Sequence, residues 1–498
     1  MGKRGIGAGA AIVVLALLMS GCVPEPSPWP TDSSTPTPAA TEMGPGPGDR
    51  RTVSEPTLPA TTCTSVSAQL ALPDGTASAS EESDPPDTQR LQEAMDSCAQ
   101  TGDDTVAVKL VADGSSDSFL SGPLTIPQGV SLVLDSDVTL YASRNPADYQ
   151  IDGSPDCGTV ATTGKGCRPF LSASSPNAGV QSLAGAGGAL GRIDGRGGSD
   201  MLGASRTWWD VAQEAREGGF QNVPRLLQTD GADNFVLSDV ELVDSAGYHV
   251  YYANGDGFTA WGVRILTPTH ARNTDGLDID GATNVTIANS FISAGDDGVG
   301  IKASAQKTAH VSVFGNHLYG THGISIGAFT TGGVNDVIIR ENTISGVDAF
   351  GEASASSVGI RIKSATRFGG TVQQVAYHDI CIDQVSRPID IDPFYFDLRG
   401  DTTPWFTGIS IDGLTATNSP AGAGSRLNGL DSQHPLGLTM SNVRVDAPRV
   451  RSSDAKIAAD GVTFGGENLE LDGDGVTLAT TEASPAPMSC VFPPFPGL

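Results

Sequence analysis

The stretch 273–302 reads NTDGLDIDGATNVTIANSFISAGDDGVGIK and holds five aspartates: Asp275, Asp278, Asp280, Asp296 and Asp297. Asp275 and Asp296 stand 21 residues apart, each in a turn beside glycine. Carboxyl groups forced within a few ångströms cannot all ionise at their ordinary pKa. One keeps its proton beside others that have lost theirs. An acid beside bases is the equipment for glycosidic bond cleavage: one carboxylic acid protonates the leaving oxygen and another carboxylate activates water. A lone GDDG is an ordinary surface turn, and Asp278 and Asp280 read as structural or solvated. The chemistry exists only if the fold stacks these turns on one another.

A repeat from about residue 234 onward supplies that stacking. Apolar residues recur at i, i+2 and i+7, usually with an apolar residue or Asn at i+5. The pattern begins with Phe235/Leu237/Leu242 and passes through Val285/Ile287/Ile292 and Val337/Ile339/Ile344 to Leu438/Met440/Val445. A second ladder lies between these units: Gly276-LDID, Gly298-VGIK, Gly323-ISIG, Gly359-IRIK and Pro388-IDID. Alternation marks short strands with one buried face, and the break before i+7 marks a turn into another strand. Two or three short strands per 23–38-residue turn predict an all-β parallel β-helix whose coils stack about 4.8 Å apart. The helical spacing of 87–98 predicts an N-terminal capping helix, and 118–145 reads as the first coils.

Aligning the rungs puts Leu277/Ile279, Val299/Ile301, Ile324/Ile326, Ile360/Ile362 and Ile389/Ile391 inside. It puts Asp278/Asp280, Gly300/Lys302, Ser325/Gly327, Arg361/Lys363 and Asp390/Asp392 outside. The residue before each glycine is Asp275, Asp297 and His322 in three consecutive coils, with Asp296 beside Asp297. Arg361 and Lys363 then offer a cationic site for an acidic sugar, Arg through a forked contact and Lys as a point charge.

These residues resemble the polygalacturonases, the glycoside hydrolase family 28 enzymes of pectin degradation. Their four motifs read in order as Asn273-Thr274-Asp275, Gly295-Asp296-Asp297, His322-Gly323-Ile324-Ser325-Ile326-Gly327 and Arg361-Ile362-Lys363, and the similarity extends over about residues 63–400. The resemblance implies a right-handed parallel β-helix of the pectin lyase-like kind and an inverting hydrolysis of α-1,4 bonds between galacturonates. It implies Asp296 as general acid, Asp275 and Asp297 holding and activating the water, and His322 maintaining the charge state of the carboxylates. Arg361 and Lys363 would bind the substrate carboxylate, Tyr395 would contact substrate, and Asn273 would shape the site. One position departs from the family: Thr321 stands where a glycine is usual, so a β-branched side chain is expected beside the cleft, where it bears on specificity. A family relative acting on substituted or rhamnose-containing pectin, a calcium-dependent pectate lyase, and a non-catalytic carbohydrate-binding β-helix are the rival readings. No cofactor and no metal are expected. LDGDGV (471–476) reads as a turn.

The remaining chain sets the compartment. Lys3, Arg4 and the apolar AGAAIVVLALLM have the shape of a secretory signal (1–21), and Ser20-Gly21-Cys22 resembles the lipobox of bacterial lipoproteins. Lipidation at Cys22 would tether the protein to the outer face of the cell membrane, with secretion as the alternative. Ten prolines in 23–62 predict an extended, solvated linker over 22–62 before a hydrolase domain at 63–498. Six cysteines outside the signal suggest three disulfides in an exported protein. Of fifteen pairings, the one expected is Cys63–Cys98, Cys157–Cys167 and Cys381–Cys490. The net charge of −28 argues against nucleic acid as a partner, and a monomer acting on pectin or oligogalacturonides is expected.

Overall fold

The computed structural model describes residues 48–497 except 103, 163–165, 482–483 and 486–487. The signal segment, Cys22 and most of the expected linker lie outside the described residues. Among the described residues no helix is long and apolar enough to cross a membrane.

The chain winds into a parallel β-helix. One 11-stranded sheet runs from Leu124–Thr125 to Arg449–Ser453, and a 23-stranded sheet wraps the other faces. The register of the 11-stranded sheet is the one the alternation predicts. Leu277 pairs with Val299, Val299 with Ile324, Ile324 with Ile360, and Ile360 with Ile389. Each is buried, so the interior is a stack of aliphatic side chains in columns, one per rung. Truncating one of them, such as Ile301→Ala, costs about 2–5 kcal/mol because neighbouring rungs cannot collapse into the gap.

The Asn of the repeat has a physical role. Asn316 Nδ2 donates to Ile287 O in the coil before (3.0 Å), and its backbone N donates to Asn342 Oδ1 in the coil after (2.9 Å). Asn342 Nδ2 in turn donates to Val313 O (3.0 Å). A ladder of buried amides thus satisfies the turn backbone where the strands break.

The ends are closed. Helix Thr88–Ser97 buries Leu91 and Met95 against the first coils, as its spacing predicts. All three expected disulfides form: Cys63–Cys98, Cys157–Cys167 and Cys381–Cys490. Beyond Cys490 the C-terminal segment turns back along the solenoid. Tyr319 Oη donates to Pro493 O (2.7 Å), and Phe495 is buried against Phe291 and Tyr319.

The linker expectation fails over residues 48–60. Gly48 N donates to Asp336 Oδ1 (2.9 Å), Asp49 N to Ser312 Oγ (3.0 Å) and Arg50 N to Asn284 Oδ1 (3.2 Å). Arg51 Nη2 donates to Phe258 O (2.8 Å), and Gln181 Nε2 reaches Thr57 O (3.4 Å). The segment therefore lies along the solenoid axis before strand Thr61–Ser67 pairs with Val106–Val111. From the rung of Asp336 to that of Val106 is seven steps of register. That is about 34 Å at ~4.8 Å per rung, a span thirteen extended residues cover. Its proline-rich composition carries no core, but single hydrogen bonds to successive strands hold it without one.

Candidate active site

The 11-stranded sheet forms the floor of a groove, and the turns leading into its strands form one wall. Close approach of these turns dictates their glycines. A Cβ on Gly295 would lie 1.9 Å from Ala271 O of the preceding turn. One on Gly323, which has a φ of +73°, would lie 1.9 Å from Gly359 O. Thr274 ties the first two motifs together: its hydroxyl donates to Ala271 O (2.7 Å) and accepts from Gly295 N (2.9 Å). Asn273 adopts a left-handed φ of 57°, a conformation Asn tolerates.

The structure brings the eight expected residues to one stretch of this groove. Asp296 Oδ1 accepts from His322 Nδ1 (2.9 Å), and its Oδ2 accepts from Asn273 Nδ2 (3.2 Å). Asp297 Oδ2 accepts from Lys363 Nζ (2.7 Å), and Oδ1 from Ser325 Oγ (2.7 Å). Asp275 lies 3.4 Å from Lys302 Nζ. Arg361 and Lys363 both lie over the Tyr395 ring at 5.2 Å, and Arg361 is within 3.3 Å of Asp390. Asp275 and Asp297 are fully buried and Asp296 nearly so.

Several groups here were not singled out by sequence reasoning. Lys302, read only as an outward position, is buried and pairs with Asp278, which was read as structural or solvated. Asp280 is also buried and accepts from Tyr251 Oη (2.7 Å). His249 sits beneath the site, with Nδ1 3.0 Å from Asp275 O and Nε2 2.8 Å from Thr267 Oγ1. Burial pushes its pKa down to about 4, so it is a neutral scaffold residue. The alternation signalled that Lys302 and Asp278 share a face. Which cation meets which carboxylate depends on side-chain reach across rungs, which a register does not give.

Thr321 corrects another expectation. Its side chain does not stand beside the cleft. It is fully buried, and its hydroxyl accepts from Gly323 N (3.1 Å), capping the turn from within. A hydroxyl that can satisfy a buried backbone N–H turns inward rather than toward the groove.

The electrostatics divide the carboxylates. Burial raises Asp275 far above the usual range, and Asp278, Asp296 and Asp297 raise it further, with Lys302 offsetting only part. Asp278 is pushed up to about 6 by burial despite Lys302. Burial also opposes ionisation of Asp296, but the His322, Lys363 and Lys302 charges outweigh it and hold that carboxyl well below the carboxylate range. Lys302 and Lys363 are raised, their burial overcome by these anions. In the resting site a proton therefore resides on Asp275 and not on Asp296. The resting electrostatics thus run against a ready-protonated Asp296.

Asp296, Asp297 and His322 each offer a donor atom within 4.8 Å of the others, a spacing a cation can bridge. Lys363 already pairs with Asp297 there, and His322 Nδ1 with Asp296.

Residues 119–461 match the family described as glycosyl hydrolases family 28. The chain is 38% identical over 401 residues to an endo-polygalacturonase of Pectobacterium carotovorum subsp. carotovorum, covering 80% of this chain and 90% of that protein. It is 35% identical to a polygalacturonase of Ralstonia solanacearum, covering 86% and 88%. Among solved structures, the polygalacturonase from Erwinia carotovora ssp. carotovora superposes with a TM-score of 0.65 at 31% identity, covering 89% of this chain and all of that one. A hyperthermoactive exopolygalacturonase from Thermotoga maritima shares the fold, with a TM-score of 0.58 at 17% identity.

Proposed function

Since the chain belongs to glycosyl hydrolases family 28 and is a glycoside hydrolase of the polygalacturonase kind, we propose that it is exported and hydrolyses α-1,4 bonds between galacturonates with inversion. One observation carries the mechanism. The Asp296 carboxylate is hydrogen-bonded to His322 on one oxygen and Asn273 on the other, while Asp297 is held by Lys363 and Ser325.

Arg361 and Lys363, over the Tyr395 ring, receive the carboxylate of the sugar next to the scissile bond. Their position fixes the glycosidic oxygen against Asp296. That carboxylate is anionic at rest and takes up its proton once substrate is bound. As the substrate excludes water and adds its own negative charge, the neutral acid becomes the favoured form. Asp296 then protonates the leaving oxygen and returns to carboxylate. Asp297 accepts the proton of the attacking water, and Asp275 orients that water. Asp275 Oδ1 is buried and meets no hydrogen-bond partner among the described residues, which suits a group waiting for one.

The Asp296–Asp297 donor spacing of at most 4.8 Å is shorter than the ~6.5–9.5 Å usual between the carboxyls of inverting enzymes. Stereochemistry is therefore to be read from the products: the first product anomer, followed by proton NMR, is expected to be β, and an α anomer rejects inversion. The activity is tested by incubating the protein with polygalacturonate, with and without EDTA, following reducing ends and the absorbance of unsaturated uronides together. New reducing ends indifferent to EDTA and without that absorbance are expected. Calcium-dependent unsaturated products would identify a lyase and overturn the role of Asp296. The three disulfides support export, and lipidation at Cys22 is the proposed anchor; mass spectrometry of the mature N-terminus tests it.

A further inference from the structure

The outward column through the groove floor differs on the two sides of the carboxylates. From Asp278 toward the N-terminal coils it reads Tyr251, Gln228, Ser172 and Thr125, all uncharged. Toward the C-terminal coils it reads Gly300, Ser325, Arg361, Asp390, Arg426 and Arg451. Three of the last four positions are arginines, on a chain whose net charge is −28. The three do not do the same work. Arg361 is buried at the scissile point. The Arg426 side chain is 37% exposed and is held upright by Asp390 (2.6 Å) and Asp392 (2.5 Å). Arg451 is exposed, and no hydrogen bond or ion pair holds it among the described residues. Arg449, exposed on the same strand, makes only a long bond to Gly422 O (3.4 Å).

We propose that Arg426, Arg449 and Arg451 form a second carboxylate-binding stretch of the groove, which holds uronate units of the polymer beyond the C-terminal side of the scissile bond. The inference rests on the polygalacturonase reading and deepens it. Arg426 and Arg451 stand two and three rungs past Arg361, about 10 and 14 Å at ~4.8 Å per rung. A pyranoside chain lying along the axis advances by about one sugar per rung, so successive carboxylates come within reach of successive guanidinium groups. Asp390 and Asp392 neutralise part of Arg426 but also fix its fork, while Arg449 and Arg451 keep their full charge. On the opposite half the column positions themselves are uncharged, and the Arg225 guanidinium lies over the Tyr251 ring (4.1 Å) while donating to Gln228 Oε1 (2.8 Å), so the run of arginines in the column itself belongs to the C-terminal side.

The rival account is that Arg449 and Arg451 only protect the last strand of the sheet from pairing with another edge. The test is the double variant Arg449→Gln/Arg451→Gln, both positions being exposed. The expected result is a KM for polygalacturonate raised about tenfold at low salt. The kcat is expected to stay unchanged, as is activity on trigalacturonate, too short to reach two rungs past Arg361. The salt dependence of the polymer KM should flatten as well. An unchanged polymer KM overturns the proposal, and self-association of the variant with unchanged KM assigns the arginines to edge protection. Migration through a gel containing polygalacturonate gives a readout independent of turnover: the wild type should be retarded and the double variant less so. Retardation that depends on these arginines in a protein that releases no reducing ends would sink the hydrolase reading while keeping the track. Equal retardation of both proteins sinks the track alone.

Discussion

Two faces of this solenoid are built by the same alternation and bury their outward polar groups by opposite means. On the strapped face, Thr286, Ser312 and Asp336 point outward and are covered by residues 48–51. On the groove face Asp275, Asp278, Asp297, Lys302 and Lys363 are buried too, with the Tyr248 ring against Lys302 and the Tyr395 ring against Lys363. Long lysine side chains and the surrounding turns remove them from water, and each charge compensates its neighbour. The first face uses a covering segment, with hydrogen bonds and the Arg50–Asp336 ion pair at its rim. The second uses charge against charge and leaves its surface open to a ligand. A repeat that fixes direction and spacing thus leaves the covering of each face to other residues.

The sharpest way to break the groove face is Asp296→Asn. It keeps the shape and removes the group that carries the proton. Reducing-end release should fall on the order of 10³-fold or more, with an unchanged circular dichroism spectrum. Survival of most activity would move the acid to another residue. Next is Lys302→Met, which leaves Asp278 without its buried counter-charge. A loss of about 3 kcal/mol in denaturant unfolding is expected, against near-neutrality if the pair were surface-like. On the strapped face, Asp336→Ala removes the acceptor for Gly48 N and the partner of Arg50. With the Arg50 side chain half exposed, a loss of about 1 kcal/mol is expected. Faster proteolysis within 48–60 should accompany it. A loss as large as that of Lys302→Met would erase the contrast between the faces.

The contrast also shows in the response to pH. Asp275 and Asp278 hold protons more tightly folded than unfolded, as does Asp244, which burial pushes up to about 7. The stability this linkage supplies is full below the unfolded value of 3.8. It is lost as pH rises through the folded values, about 6 for Asp278 and about 7 for Asp244. Asp296 acts in the opposite sense: its stabilisation is present above 3.8 and lost as pH falls. Tm should peak between about pH 4 and 5 and decline by several degrees toward neutrality. A Tm that rises steadily to pH 7 would place the protons elsewhere.

Much of this was legible in the residues. Leu277, Val299, Ile324, Ile360 and Ile389 announce one column because period-two alternation admits only one register per rung. Once that column is drawn, the turns holding Asp275, Asp297 and His322 must stack. Three features were not legible. Lys302 reaches back to Asp278 and Asp275 across rungs, a matter of side-chain conformation. Thr321 turns inward because a backbone N–H there needs an acceptor. Residues 48–60 adhere through hydrogen bonds spaced by the rungs, which leave no hydrophobic pattern behind. The resting charge of Asp296 was not legible for a related reason: counting carboxylates raises every pKa, while neighbouring cations hold this one down.

The axial course of residues 48–60 also sets how the molecule bears tension. Gly48 is held at the rung of Asp336, well away from either end of the solenoid. Force applied outward from that face opens the Gly48–Asp336 contact first and peels the others in turn. Force applied along the axis toward the C-terminal coils loads the contacts to Asp336, Ser312, Asn284 and Phe258 together, in shear. The segment is therefore a stiff attachment in one direction and a yielding one in another.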